Sequence, residues 1–325
     1  MRLRLVPANT AIDFFGWIRL TFGISVGAMI ASVVLFLVIG LNYGIDFRGG
    51  TAIRTESSLE LDVGTYRSVL ARLDLGDVSI TEVRDPAAEL AGGSENVAMI
   101  RIEQQSGEQA ISNETITAVK DALRTIDPDM VFPLVDSVGP KVSGELVKAA
   151  VIAVLLAMAA VLFYIWLRFE WQFSVGAVAA LVHDVVVTIG VFCILQIKFD
   201  LAIIAALLTI VGYSLNDTVV VYDRVRENLR KYKKEPLRAV LNRSINETLG
   251  RTVMTSVTTL IALGSLFVLG GDVIRGFVFA MIWGVIVGTY SSVFVASGVL
   301  LRLGVKRDWS KKEAAPGTQF ANIDA

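Results

Sequence analysis

Gly212-Tyr213-Ser214-Leu215-Asn216-Asp217-Thr218-Val219-Val220-Val221-Tyr222-Asp223-Arg224-Val225-Arg226-Glu227-Asn228 ends one long apolar run and continues as a charged helix. This stretch decides the fold, because a helix that passes from apolar to water-loving residues is one leaving a membrane. Asn216 and Asp217 lie side by side in its apolar part. An ionisable side chain in hydrocarbon costs about 2.5–3.5 kcal/mol on insertion scales, and its default reading is functional. Thr209, Asn216 and Asp223 recur at intervals of seven, with Gly212 nearby, while Val219, Val220 and Val221 fill most of the rest. That polar, small face is expected to meet other helices rather than lipid.

Working outward, the chain has 325 residues, of which 54% are hydrophobic, and a mean hydropathy of +0.62. Soluble chains of this size are rarely so apolar. The apolar residues cluster into runs at Leu20–Leu41, Ala149–Leu167, Phe173–Ile197, Leu201–Tyr222, Thr252–Gly271 and Gly276–Leu301. The first is free of charge over 22 residues; at about 1.5 Å per residue it crosses a ~30 Å hydrocarbon core. It is too long for a signal-peptide core and reads as an uncleaved anchor. The expectation is a polytopic α-helical membrane protein with six transmembrane helices.

Charge sets the expected orientation. The N-terminus (1–19, with Arg2, Arg4 and Arg19), the 223–251 connection and the 303–325 tail are basic. In a six-span chain all three fall on one side, which the positive-inside rule makes cytoplasmic. Both termini are then cytoplasmic, and the 42–144 segment faces out. It carries 17 Asp/Glu against 9 Lys/Arg. Its pattern predicts strands at Thr51–Thr55, Val78–Val83, Val97–Ile102 and Val131–Val138. Helices are predicted at Gly64–Leu73 and from Ser112, as cap, to Ile126. Gly92-Gly93-Ser94 makes a loop between the middle strands. That order is a split βαβ, ferredoxin-like α+β domain between spans one and two.

Other polar groups sit in or beside the spans. His183 and Asp184 are adjacent near the middle of the third span, on a helix where Gly176, Ala179, Ala180 and Gly190 share a small face with His183. Either a tight helix interface or a titrating relay accounts for the pair. Arg251 heads a stripe that continues through Thr255, Thr258 and Ala262; it reads as a snorkelling cation or as an inward-facing one with partners. In the last span Gly276, Ala280, Gly284, Gly288, Ser292 and Ala296 recur every fourth residue, a close-packing signal. Gly44-Ile45-Asp46-Phe47-Arg48-Gly49-Gly50 follows the first span as a glycine-rich elbow. It serves as a plain joint or, through Gly44, Asp46, Gly49 and Gly50, as one that transmits motion to the outer domain.

Several classes are excluded. A single cysteine, Cys193, forbids an intramolecular disulfide, and a single histidine, His183, forbids a multi-histidine metal site. There is no phosphate loop of the form GxxxxGK[ST], no credible Ser/His/Asp set and no basic-aromatic surface for nucleic acid. No cofactor, metal or catalytic residue is expected.

The motifs Gly44–Gly50 (GIDFRGG), His183-Asp184, Gly212–Asn228 (GYSLNDTVVVYDRVREN), Arg251–Leu260 (RTVMTSVTTL) and Gly284–Ala296 (GVIVGTYSSVFVA) together resemble the SecF branch of the SecD/SecF family. These are protein-export subunits of the resistance-nodulation-division superfamily. The resemblance covers nearly the whole chain, in order. It implies a bacterial inner-membrane subunit that works with SecD beside the SecYEG channel, often with YajC. Such a subunit uses the proton-motive force late in preprotein export. It also implies that Arg251 pairs with a SecD aspartate, whose place in this chain's own motif is held by Asn216. Arg251, rather than Asp217, is then the expected proton-coupling residue. The alternatives are a small-molecule or lipid exporter of the same superfamily, or a scaffold for its partner.

Overall fold

The computed structural model describes residues 7, 10–76, 78–83, 96–103 and 112–305. Arg2, Arg4, the Gly92–Ser94 loop and the basic residues after Val305 lie outside them. Among the described residues, six helices are long and apolar enough to cross a membrane. The first is α1 (Ile18–Val38), followed by a single helical turn at Ile45–Arg48.

The α+β domain comes next. Its strands are β1 (Gly50–Ser57), β2 (Val78–Val83), β3 (Asn96–Glu103) and β4 (Val131–Val138), and its helices α2 (Val63–Leu70) and α3 (Asn113–Arg124). The sheet order is β2-β3-β1-β4, with every pair antiparallel. That is the expected ferredoxin-like arrangement. Strand alternation divides the faces: Ile53, Ala98, Ile100 and Ile102 meet Tyr66, Leu70, Val119 and Leu123 of the helices, while Ala52, Val83, Val97 and Met99 form a second cluster with Ile45. The helix starts are capped by side chains: Asp62 accepts from the Gly64 and Thr65 amides, and Ser112 from Thr115.

The other five spans are α4 (Pro140–Arg168), α5 (Trp171–Leu195), α6 (Leu201–Lys231), α7 (Leu237–Leu269) and α8 (Asp272–Ser291). The last is prolonged by a π-helical turn, Ser292–Ala296, and α9 (Ser297–Leu303). Pro140 fits the first turn of α4 because its missing N–H would have no helical partner there. Helices α5, α6 and α8 form the packed centre, around Phe173, Tyr222, Val225, Ala296 and Leu300 at one end and Phe192, Ile203, Ile210 and Ala280 at the other. By contrast α1, α4 and α7 expose most of their surface.

The small-residue row of the last span packs along α6. A Cβ on Gly284 would strike the Ile210 side chain, one on Gly288 would lie 3.1 Å from the Ser214 Cβ, and one on Gly276 3.4 Å from Ile203. Ala280 and Ala296 are fully buried.

The 223–251 connection is not a loop. Helix α6 runs to Lys231 and α7 starts at Leu237, so Glu235-Pro236 breaks an otherwise helical hairpin. Its charges hide an amphipathic pattern. Val225, Leu229, Val240, Leu241 and Ile245 are buried together, and Arg224 reaches Glu247 at 2.6 Å. The segment before α1 lies on this hairpin: Asp13 pairs with Arg238 at 2.7 Å and accepts from Asn242 at 2.6 Å.

Candidate functional site

Helix α6 turns Asp217 inward. Its two carboxylate oxygens accept hydroxyl protons from Thr252 of α7 and Ser292 after α8, both at 2.5 Å. Asn216, the residue before it, is exposed, as are Thr209 and Gly212. A Cβ on Gly212 would meet nothing within 4 Å. The polar stripe of α6 was expected to face other helices; within this chain its intramembrane part faces none. Asp223, further along, pairs with Arg168 at 3.0 Å.

Arg251 precedes Thr252 on α7 and is itself exposed. The rest of its stripe, Thr255, Thr258 and Ala262, is exposed too. Thr255 and Thr258 donate back to the carbonyls of Arg251 (3.1 Å) and Met254 (2.8 Å). Their hydroxyls are therefore satisfied without a second helix. From Arg251 onward, the α7 residues buried inward are Thr252 and Ser256.

A second carboxylate lies deeper. Asp184 of α5 is fully buried. One oxygen accepts from Ser214 of α6 (2.6 Å) and Ser291 of α8 (2.7 Å), and the other lies 3.0 Å from His183 Nδ1. The neighbours His183 and Asp184 thus bond each other. The small face of α5 admits its neighbours closely: Gly190 lies against Ser32 of α1, and Gly176 against the Tyr222 hydroxyl and the Ala296 carbonyl. Ser291 and Ser292 together join both carboxylates. Among the described residues no cluster of three or more His, Cys, Asp or Glu could hold a metal.

The elbow is docked onto the turn between α5 and α6. Tyr43 and Phe199 form a parallel backbone bridge, in which the Gly44 N–H donates to the Phe199 carbonyl and the Phe199 N–H to the Asn42 carbonyl, both at 2.7 Å. The Asn42 amide donates to the Gln196 carbonyl (2.8 Å), and the Leu201 N–H donates to Asp46 (2.9 Å) at the start of α6. A Cβ on Gly44 would lie 2.8 Å from the Lys198 side chain. Gly49 and Gly50 take φ of 79° and 131°, backbone that only glycine enters without strain.

Beside this joint, the free face of the sheet and the ends of α7 and α8 enclose a cavity of about 450 Å³, lined by Asp46, Arg101, Asp136, Lys198, Asp200 and Arg275 among others. Burial pushes the Asp200 carboxyl up and the Lys198 ammonium down, the latter helped by Arg101.

Of the residues singled out in the sequence, Asp217 and Ser292 come together, His183 and Asp184 come together, and Asn216 and Arg251 remain on the outside. Sequence reasoning missed the hydroxyl donors Ser214, Thr252 and Ser291, and placed Ser292 with the packing residues only. A signal was present: each donor lies on a span at the depth of a carboxylate. The elbow's partners, Gln196, Phe199 and Leu201, had no signal, being backbone groups.

The chain matches the family described as protein export membrane protein SecD/SecF, C-terminal, over residues 118–306, and the SecD/SecF GG motif over 34–58. It is 61% identical over 324 residues to the protein translocase subunit SecF of Cereibacter sphaeroides, covering 100% of this chain and 99% of that one. It is 43% identical to the SecDF subunit of Brucella abortus, over 94% of this chain but 39% of the relative. The crystal structure of SecDF from Thermus thermophilus, described as a translocon-associated membrane protein, superposes with a TM-score of 0.80 at 33% identity, over 93% of this chain and 40% of that chain. Full-length identity to SecF subunits, with six spans around a four-stranded domain, leaves one conclusion: the chain belongs to the SecF family of Sec translocase subunits, membrane-transport components rather than enzymes.

Proposed function

We propose that this chain couples the proton-motive force to late steps of preprotein export, as one half of a transport unit completed by SecD. In this reading it sits in the bacterial inner membrane beside SecYEG, with YajC as an accessory subunit. Both termini are cytoplasmic, and the α+β domain meets preprotein in the periplasm. The observation that carries the reading is the exposed intramembrane line of Asn216 and Arg251, beside an Asp217 already satisfied from within. An exposed cation in a span needs a counter-charge. The fused SecDF chains, of which this chain matches about two fifths, support SecD as its source.

The mechanism follows from the charges. With SecD's carboxylate ionised, it holds Arg251 across the interface. Protonation from the periplasmic side neutralises that carboxylate and releases the guanidinium. Helices α6 and α7 then repack, and the docked elbow carries their displacement to the α+β domain. Since Cys193 is the single cysteine and is buried, an Asn216→Cys chain tests the interface cleanly. Expected is a specific crosslink to a cysteine in the matching SecD span. Crosslinking to lipid-borne probes alone contradicts it.

A scaffold reading draws on the complete hydroxyl shells of Asp184 and Asp217, which would serve as helix glue. It predicts that neutral substitutions lower stability and export in proportion.

A further inference from the structure

The cavity of about 450 Å³ between the free sheet face and the span ends has the volume of a small-ligand site, about 300–1,000 Å³. Three kinds of residue line it. The span ends supply an apolar wall of Ile197, Phe267 and Phe279. The sheet supplies Arg101 of β3 and Asp136 of β4, and the turn between α5 and α6 supplies Lys198. Arg101 and Asp136 flank β1, where both are in register with Ala52. Neighbouring strands lie about 4.8 Å apart, and the alanine methyl leaves the space between the two charges unfilled.

The two cations lack partners. Arg101 Nε is buried and donates to nothing. Among the described residues, neither Arg101 nor Lys198 makes an ion pair or a side-chain hydrogen bond. The Lys198 stem lies against the elbow, where a Cβ on Gly44 would come 2.8 Å from its Cε. Two carboxylates of the lining already serve the start of α6: Asp46 accepts the Leu201 N–H at 2.9 Å and Asp200 the Ile203 N–H at 3.3 Å. Asp136 is exposed. Burial lowers the pKa of Arg101 and of Lys198, and Arg101 lowers that of Lys198 further. A half-buried pair of like charges, one with an N–H facing no acceptor, is relieved by an anion placed between them.

We propose that this cavity binds the headgroup of an amine-bearing, zwitterionic glycerophospholipid from the leaflet on the α+β side. Arg101 and Lys198 hold its phosphate, Asp136 meets its ammonium, and the first carbons of its chains lie on Ile197, Phe267 and Phe279. The three kinds of lining residue thus match the three parts of one lipid. A guanidinium suits the phosphate because Nε–H and a terminal N–H form a parallel pair of donors. A purely anionic headgroup would set negative charge against Asp136, and a water-soluble phosphate would leave the apolar wall uncovered. Bound there, the lipid ties the sheet to the ends of α7 and α8, a second link beside the elbow. The proposal is independent of proton coupling.

The test is native mass spectrometry of the full chain in detergent, titrated with dioleoyl phosphatidylethanolamine, dioleoyl phosphatidylglycerol, glycerophosphoethanolamine or triglutamate. Wild type is expected to retain a single phosphatidylethanolamine in preference to phosphatidylglycerol. Arg101→Gln and Lys198→Gln each weaken its binding by about ten-fold, the loss of one charge-assisted contact. Asp136→Asn removes the preference over phosphatidylglycerol. Lys198 lies in a turn, so its variant decides the matter if Arg101→Gln fails to fold. Equal retention by wild type and Lys198→Gln, or no preference for phosphatidylethanolamine in wild type, overturns the proposal. Binding of glycerophosphoethanolamine as tight as that of the lipid also overturns it, in favour of a water-soluble phosphate. Binding of triglutamate in place of the lipid overturns it in favour of an acidic peptide.

Discussion

Asn216 and Asp217 are consecutive on α6 and serve opposite sides of it: Asp217 is bonded inward by Thr252 and Ser292, and Asn216 is exposed. Asp217→Ala leaves the Thr252 hydroxyl without its acceptor and the Ser292 hydroxyl with the Thr289 carbonyl alone, and is expected to destabilise the chain by about 1–3 kcal/mol. Asn216→Ala is expected to stay within about 0.5 kcal/mol but to weaken co-purification with SecD. Thermal unfolding in detergent and pull-down separate the two effects.

The glycines of α6 and α8 make a similar contrast. A Cβ on Gly284 strikes Ile210, whereas one on Gly212 meets nothing in this chain. Gly284→Ala is expected to cost about 1–3 kcal/mol by overpacking. Gly212→Ala leaves the isolated chain as stable or more stable and loosens its union with SecD. Melting curves of both variants, with and without SecD, check this.

At the elbow, Gly49 combines φ 79° with ψ 164°, a region essentially reserved for glycine. Gly49→Ala is expected to cost about 1–3 kcal/mol of strain, read as a lower melting temperature. If elbow and turn move as one body, a disulfide between Tyr43→Cys and Phe199→Cys leaves export intact. Asn42→Ala, which removes the bond to Gln196, slows export. Arrest by the disulfide, reversed on reduction, would show that the joint must open.

Within the α+β domain, Asp127 ties the end of β1 to the turn before β4. Hydrogen bonds from Ser57 and Ser58 hold its carboxyl down to about 2, from an ordinary 3.8. A folded-state pKa below the unfolded one contributes stability above the unfolded value, which is lost as pH falls through the folded one. Asp127→Asn is therefore expected to lower the domain's resistance to hydrogen exchange at neutral pH. The gap from wild type closes as pH falls from about 4 to about 2.

The spans and the ferredoxin-like domain were legible in the sequence because their periods of burial are local. The α6–α7 hairpin was not, since charges such as Arg224 and Glu247 mask its buried face until the two helices are set side by side. The carboxylates were visible as residues out of place in hydrocarbon. Their partners were not, because a serine donating to its own helix and one donating across helices look the same in sequence; Ser292 does both. The π-turn leaves no periodic mark, and the elbow docks through backbone groups that any residue carries.

The most direct test of proton coupling is preprotein export into vesicles that contain SecD and this chain, driven by the proton-motive force after ATP is removed. Arg251→Gln keeps a polar side chain but removes the charge. The account predicts that completion of export loses its dependence on the proton-motive force, while the ATP-driven first stage and SecD binding persist. Completion at the wild-type rate, still driven by the proton-motive force, would contradict it.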